Sequence, residues 1–231
     1  GGRLDAVNAV EPDGCLISSI SLDHTAWLGN DCESIAAEKA GIMRASTPVV
    51  FGAPVCPEAI TSHALAIGAN LLRATVDFGY EMDDAEAGTW TWQGRQKRLV
   101  ALCPPALNGQ VQLQNAAAVL ALIEAMGHDA LLTTSLVNDS IGGLTLQGRF
   151  QVIPSRHTWV LDVAHNPAAA QALGDSLSIL SRNKRVTAVI GMLSDKDVAG
   201  FVDPLLGIVD HWIAGTVEGA RATPASVLAQ R

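Results

Sequence analysis

The sequence predicts an α/β protein with a mostly parallel sheet that is covered by helices. Short apolar segments rich in Val, Ile and Leu alternate with helical patterns, and two of those patterns carry proline at the expected first turn. Hydrophobic residues make up 48% of the 231 residues and charged residues 16%, which is typical of a well-buried globular protein. A chain of this length can form one large domain or two modest ones.

Two classes of segment alternate along the chain. Seven have the composition of short buried strands, at 15–20, 48–51, 71–76, 99–102, 159–163, 186–190 and 209–214. Five place apolar residues near i, i+3 and i+4 and are expected to be helices, at 34–43, 57–69, 112–126, 167–180 and 196–206. Because strands that alternate with helices favour parallel pairing, these segments predict the parallel sheet.

Two segments interrupt this alternation. Residues 89–95 are typical of a hairpin arm with Gly94 near its turn, so residues 78–102 predict an antiparallel extension of the sheet. Residues 142–154 have weak periodicity and precede a new series of strands and helices, so they are the candidate connection between two domains.

Charge and cysteine content exclude several classes of protein. The net charge is −8, and Lys and Arg are scattered, so we expect no nucleic-acid partner. The four cysteines show no C-x-x-C spacing, which favours reduced thiols, and Cys15 is expected in the core. The chain has no run of 18 apolar residues and no charged-then-apolar leader, so we expect a cytoplasmic protein without a membrane partner.

Reactive side chains follow the first predicted strand, where open α/β sheets place ligand-binding groups. His24 lies in Ser21-Leu-Asp-His-Thr-Ala-Trp-Leu-Gly29, and it can either ligate a metal through its neutral imidazole or cap a turn of its loop. Lys39 follows on a half-buried helix. Its amine either loses proton affinity and becomes reactive or extends to solvent.

A second group of polar residues lies further along the chain. Asp162, at the end of a predicted strand, can accept hydrogen bonds from a ribose or stabilise a turn, and His165-Asn166-Pro167 opens a helix whose free N–H groups can hold an anion. Asn115 is expected to be a helix N-cap, and Arg149 is either a surface charge or a phosphate clamp between domains. Since no G-x-x-x-x-G-K-[ST] motif occurs, the chain has no phosphate-binding loop of that kind.

Seven blocks occur in a fixed order over nearly the whole chain. They are Gly1-Gly-Arg-Leu-Asp-Ala6, Ser21-Leu-Asp-His-Thr-Ala-Trp-Leu-Gly29, Ala37-Glu-Lys-Ala-Gly-Ile42, Gln114-Asn-Ala-Ala117, Gln147-Gly-Arg-Phe150, Asp162-Val-Ala-His-Asn-Pro167 and Gly191-Met-Leu-Ser-Asp-Lys-Asp197. Together they resemble the folylpolyglutamate synthase and dihydrofolate synthase family of the Mur ligase superfamily. Each block alone is a weak signal, whereas the ordered set is specific.

The resemblance implies a division into two domains. Residues 1–146 would be the C-terminal part of a central ATP-binding ligase domain, 147–155 an interdomain hinge, and 156–231 an incomplete Rossmann-like C-terminal domain. The P-loop of the family lies upstream of its Gly-Gly-Arg-Leu-Asp-Ala motif. We therefore expect this chain to be a fragment, truncated at both ends and inactive alone.

The resemblance also implies an activity: ATP-dependent addition of L-glutamate to dihydropteroate, to reduced folates or to both, through an acyl phosphate and with Mg²⁺ and, in some members, a monovalent cation. A monomer is expected. Position by position, His24 matches the magnesium ligand, Lys39 the lysine that becomes carbamylated, and Asn115, Arg149 and Asp162 the ATP contacts. Leu4, Asp5 and Ala6 match a pteroate-binding turn, and His165, a catalytic candidate, and Ser194 fall in loops facing glutamate and nucleotide.

Three alternatives to this function stay open on the sequence. Another Mur ligase, of cell-wall synthesis, shares the superfamily plan. A non-catalytic nucleotide-binding module would also explain Asp162 at a strand end. A metal-dependent hydrolase can use a carbamylated lysine, although the H-x-H pair usual in such enzymes is absent.

Overall fold

The computed structural model describes residues 2–3, 5–21, 31–83, 88–107 and 109–230. Contacts between residues divide them into two compact units, with the boundary between Thr145 and Leu146. The first unit therefore contains the described residues up to 145, and the second contains residues 146–230. Both units combine helices with strands, which confirms the predicted α/β class.

The elements are numbered in chain order within the described residues. The first unit contains strands β1 (Cys15–Ile17), β2 (Pro48–Phe51), β3 (Asn70–Arg73), β4 (Gly79–Met82), β5 (Trp90–Gln93) and β6 (Arg98–Leu102), and helices α1 (Cys32–Ala40), α2 (Glu58–Ile67), α3 (Gln110–Ala125) and α4 (Thr134–Gly142). The second contains β7 (Gln151–Ile153), β8 (Trp159–Leu161), β9 (Thr187–Ile190), β10 (His211–Ala214), α5 (Pro167–Leu180), α6 (Val198–Val202) and α7 (Ala225–Leu228).

A parallel sheet of order β1-β2-β3 forms the centre of the first unit. Its middle strand is apolar on both faces because both faces are covered. Val50 packs in the core beneath α3, whereas Val49 and Phe51 point to the other face and pack with residues of α1 and α2. All three side chains are fully buried. The sequence expectation of a parallel sheet covered by helices is therefore confirmed.

The strands β4, β5 and β6 form an antiparallel sheet beside the parallel one. A bridge between Ala74 and Phe78 lies where the chain passes from one sheet to the other. The predicted hairpin is present, with Gly94 N donating to Lys97 O at 2.8 Å across the turn between β5 and β6. Trp92 of β5 is buried against α3, and its indole N–H donates to Ala117 O at 3.1 Å.

The second unit contains an antiparallel pair, β7 and β8, and a parallel pair, β9 and β10. Helix α5 begins as its sequence predicts, with Pro167 in the first turn and Asn166 Oδ1 accepting from Ala169 N at 2.8 Å. The core of the second unit is formed by buried residues of α5, α6, α7 and the segments that flank them: Ala170, Met192, Val198, Phe201, Leu205, Val209 and Leu228.

Strand β7 and helix α4 are among the elements that the sequence did not predict. Strand β7 lies inside the segment interpreted as a hinge, and none of its three residues is buried, so they lack a clear alternation. Helix α4 is short and carries polar residues, but Thr133 caps it, with Oγ1 accepting from Leu136 N at 3.4 Å. Among the described helices, none is long and apolar enough to cross a bilayer.

Candidate functional site

Lys39 lies in the last turn of α1, half-buried, at the point where residues 2–3 cross the end of this helix. Arg3 N donates to Glu38 O at 2.8 Å. A Cβ on Gly41 would lie 2.6 Å from Arg3 Cβ and 2.8 Å from Arg3 Cα, so only glycine allows this approach. The first and third sequence blocks are therefore packed against each other, backbone against backbone.

Asp5 starts the short 3₁₀ turn that follows this crossing, Ala6–Ala9. Its Oδ1 accepts from Val7 N at 3.0 Å, and this hydrogen bond lowers the pKa of Asp5 from its usual value. The positive charge of Lys39 acts in the same direction, more weakly. Ala6 is exposed in the same turn, and Leu4 lies outside the described residues.

A cavity of about 380 Å³ opens beside Lys39. Its lining combines three segments, including Val7 and Asn8 of the 3₁₀ turn, Ile17 and Ser18 at the end of β1, and Lys39 and Ile42 at the end of α1. The structure thus brings Lys39 and the Asp5–Ala6 turn to neighbouring positions at the carboxyl end of β1. This is where an open α/β sheet binds its ligands.

Asn115 is not the helix N-cap that its residue type suggested. Helix α3 starts earlier, at Gln110 after Gly109, and Asn115 lies in the second turn. Its Nδ2 lies 3.5 Å from Gln112 Oε1, one turn away. The apolar residues 111 and 113 extend the helix toward its N-terminus, so the asparagine has no terminal N–H groups to cap.

In the second unit, Arg149 lies in an exposed turn between α4 and β7. It stands between two residues of the left-handed backbone region, Gly148 with φ +69° and Phe150 with φ +43°. The Arg149 side chain forms no hydrogen bond or ion pair with the residues that the structure describes. Its guanidinium is thus open to an anionic partner.

Asp162 follows β8 and binds two backbone N–H groups. Its Oδ2 accepts from Phe150 N and its Oδ1 from Ala164 N, each at 2.7 Å. The second bond is that of an Asx turn, so one of the two sequence interpretations of Asp162 is confirmed. Because each carboxylate oxygen has two lone pairs, contact with a ribose stays compatible with this geometry.

His165 and Ser194 are exposed in loops that follow β8 and β9. His165 Nδ1 lies 2.9 Å from Val163 O, which fixes the ring through a backbone acceptor and favours the tautomer protonated on Nδ1. Ser194 N donates to Arg221 O at 2.8 Å, so the loop after β9 is tied to the segment before α7.

Charged residues beside Ser194 form a cluster that the sequence interpretation missed. Lys196 Nζ lies 3.6 Å from Asp195 Oδ2, and Arg221 Nη1 lies 3.9 Å from Asp195 Oδ1. The Lys196 side chain is only 7% exposed. The sequence run Ser194-Asp-Lys-Asp197 contains two members of this cluster, Asp195 and Lys196. The third, Arg221, comes from a distant segment that the fold brings close.

The predicted magnesium ligand is His24. His24 lies outside the described residues, and among those that are described no three His, Cys, Asp or Glu side chains are grouped as a metal site would need.

The sequence is similar to one family model and to proteins of known name. Residues 148–231 match the family model "Mur ligase, glutamate ligase domain". The chain is 41% identical over 228 residues to the dihydrofolate synthase/folylpolyglutamate synthase of Escherichia coli K12, covering 99% of this chain and 52% of that protein. The namesake from Mycobacterium tuberculosis is 30% identical over 242 residues, covering 99% and 50%.

Two solved structures resemble the whole chain. The E. coli FolC structure in complex with DHPP and ADP has a TM-score of 0.90 at 40% identity, covering 100% of this chain and 53% of that one. A bifunctional folylpolyglutamate synthase/dihydrofolate synthase with Mn, AMPPNP and L-glutamate bound has a TM-score of 0.88 at 40% identity, covering 100% and 54%. The chain thus spans about half the length of the relatives it matches.

Proposed function

Because this chain belongs to the folylpolyglutamate synthase/dihydrofolate synthase family of the Mur ligases, we propose that a full-length protein carrying it is an ATP-dependent ligase. Its reaction joins the amine of L-glutamate to the carboxylate of dihydropteroate, of a reduced folate, or of both. The observation that carries the proposal is the 41% identity over 228 residues to the dihydrofolate synthase/folylpolyglutamate synthase of E. coli. Structures of such relatives hold ADP, AMPPNP and L-glutamate.

The proposed chemistry has two steps. A carboxylate oxygen of the pterin substrate attacks the γ-phosphorus of ATP, the bond to the ADP oxygen breaks, and an acyl phosphate forms. The glutamate nitrogen then attacks the acyl carbon, phosphate leaves, and the nitrogen loses a proton to a base. His165 is our candidate for that base, since it is exposed in the loop that follows β8 and an imidazole nitrogen can accept a proton.

Residues of both units are assigned to nucleotide and substrate. Asn115, Arg149 and Asp162 are proposed ATP contacts; the exposed Arg149 guanidinium suits phosphate, and Asp162 suits the ribose. Leu4, Asp5 and Ala6 are proposed to bind the pteroate group, and Ser194 the glutamate side. Residues 1–146 would belong to the ATP-binding domain, 147–155 to a hinge and 156–231 to the C-terminal domain. We further propose that the protein is cytoplasmic and monomeric.

Lys39 is proposed to carry a carbamate. Its neutral amine adds to the carbon of CO₂ and releases a proton, which converts a cation into an anion beside the cavity at the end of β1. A divalent metal at this site, with His24 as one ligand, would supply neutralisation of phosphate charge. Exposure to ¹³CO₂ should give a carbamate ¹³C signal that is absent from the Lys39→Arg variant; the same signal in both proteins would contradict this assignment.

The activity is tested with the full-length protein carrying this sequence. We expect ADP to form only when dihydropteroate or a reduced folate is supplied together with L-glutamate. Arg149→Ala should lower kcat/KM for ATP at least about tenfold, as expected for loss of a charge-assisted phosphate contact. Arg156→Ala removes another exposed guanidinium, from the turn between β7 and β8, and should change kcat/KM for ATP less than about twofold.

Two results would contradict the proposal. Product formation from peptidoglycan precursors and not from pterins would assign the protein to cell-wall synthesis. Nucleotide binding without any ligase product would favour a binding module. The 231-residue chain alone is expected to give no turnover, and measurable ligase activity from it would contradict the expectation that the phosphate-binding loop lies outside it.

A further inference from the structure

The turn that presents Arg149 has a backbone that its sequence does not favour. Gly148 adopts a left-handed φ without cost, but Phe150, with φ +43°, is a bulky residue in a region that L residues avoid. Phe150 is also buried, at 7% exposure, so its ring anchors the turn in the unit. Such a conformation persists only where neighbouring groups hold it.

The group that holds it is the carboxylate of Asp162. The β7–β8 ladder ends at the pair Gln151 and Leu161, and beyond this pair Asp162 replaces the ladder by accepting from Phe150 N at 2.7 Å. Val163 N donates to Gly148 O at 2.9 Å, on the other side of Arg149. The backbone on both sides of Arg149 is therefore bound by the 162–163 segment.

We propose that Asp162 is a positioning residue for Arg149: its carboxylate fixes the turn from which the guanidinium projects toward the nucleotide. The inference rests on the proposed function in that Arg149 is taken to contact ATP. This positioning role is compatible with a ribose contact by the same side chain. Phe150 N and Ala164 N each occupy one lone pair of the Asp162 carboxylate, and the remaining lone pairs can accept from a ribose. The same carboxylate, through Ala164 N, also orders the loop that leads to His165.

The two roles of Asp162 predict different results in a double-mutant cycle. Asp162→Asn preserves size and one acceptor oxygen, but its amide NH₂ cannot accept from a backbone N–H. In the full-length protein we expect the factor by which Asp162→Asn lowers kcat/KM for ATP to be at least about fivefold larger when Arg149 is present than in the Arg149→Ala background. Equal losses in both backgrounds would overturn the proposal and leave Asp162 a ribose contact only.

Two further variants complete the cycle. Asp210 Oδ2 accepts from Val186 N at 2.7 Å, the same kind of bond in the same unit. Asp210→Asn should therefore leave kcat/KM for ATP within about twofold. Gly148→Ala disturbs the turn without touching the carboxylate, since its Cβ would lie 2.9 Å from Val163 Cγ1. It should reproduce the Asp162→Asn loss only when Arg149 is present, and an unchanged kcat/KM would contradict the proposal.

A measurement on the 231-residue chain separates this inference from the proposed function. Amide hydrogen exchange at Phe150 and Ala164 should be at least about tenfold faster in Asp162→Asn than in the unmodified chain, and unaffected in Asp210→Asn. Unchanged exchange would overturn the positioning role whatever the activity. If the exchange responds as expected while the full-length protein makes no ligase product, the proposed function fails and the carboxylate clamp on the turn stands.

Discussion

The turn between β5 and β6 is held by one carboxylate from α3, and its removal has a predictable cost. Glu124 Oε1 accepts from Gln96 N at 3.1 Å and Lys97 N at 2.8 Å, and Oε2 accepts from Arg95 N at 2.9 Å. Glu124→Gln keeps the shape but has one acceptor oxygen. It can preserve two bonds at neutral strength, and it places its NH₂ against the third N–H group.

The magnitude follows from the count of bonds. A hydrogen bond to a charged group contributes about 1.5–3 kcal/mol and a neutral one about 0.5–1.5 kcal/mol. Losing one charged bond and weakening two would cost roughly 4 kcal/mol in a dry site. Arg95 and Gln96 are exposed, so water replaces part of the loss, and we expect about 2 kcal/mol of free energy of unfolding.

Urea unfolding followed by the fluorescence of buried Trp90 and Trp92 measures this change, together with a fall in Tm of roughly 4–8 °C. Glu81→Gln is the matched control, because Glu81 pairs with Arg98 at 3.1 Å while both side chains are more than half exposed. It should cost less than about 0.5 kcal/mol. A Glu124→Gln variant as stable as this control would refute the reasoning.

Two further changes have expected outcomes. Asn166→Ala removes the cap of α5 and should lower the free energy of unfolding by about 1 kcal/mol in urea titrations. The control Gln171→Ala, in the same helix, should lower it by less than about 0.5 kcal/mol. Equal losses in the two variants would show that the cap contributes nothing. Burial alone would raise the pKa of Asp77, but hydrogen bonds from Arg95 and from Arg73 N outweigh it, so the pKa is lowered from 3.8. A lowered pKa stabilises the folded state above pH 3.8, and this contribution is lost as the pH falls through the lowered value. The stability deficit of Asp77→Asn should therefore shrink on acidification, and a deficit that is independent of pH would contradict the assignment.

Local signals in the sequence were sufficient where one segment determines its own structure. Strand β2 was predicted with its observed bounds, because three consecutive apolar residues are buried on both faces of a covered sheet. The start of α5 was predicted because Asn166 and Pro167 are strong local signals for a helix N-terminus. Asn115 is of the same capping type, but apolar residues before it extended α3 and removed the free N–H groups that it would cap.

Contacts between distant segments could not be predicted in this way. The sequence left Asp162 either a turn residue or a ribose contact, and only the fold shows that it accepts from Phe150 N, twelve residues away. Arg221 joins Asp195 from 26 residues further along the chain. The approach of Arg3 to Gly41 likewise depends on tertiary packing, although glycine in both motifs is the residue that such an approach requires.

The contact of Gly41 with Arg3 has a consequence for how the proposed substrate turn and the proposed carbamylated lysine can move. Since they are joined through main-chain atoms, with Arg3 N on Glu38 O, no rotamer change can separate them. A shift of α1 along its axis would carry the Asp5 turn with it. Binding of the acceptor substrate and activation of the phosphate donor would therefore both depend on this one backbone contact. A larger residue at position 41 would break the contact and impair both functions.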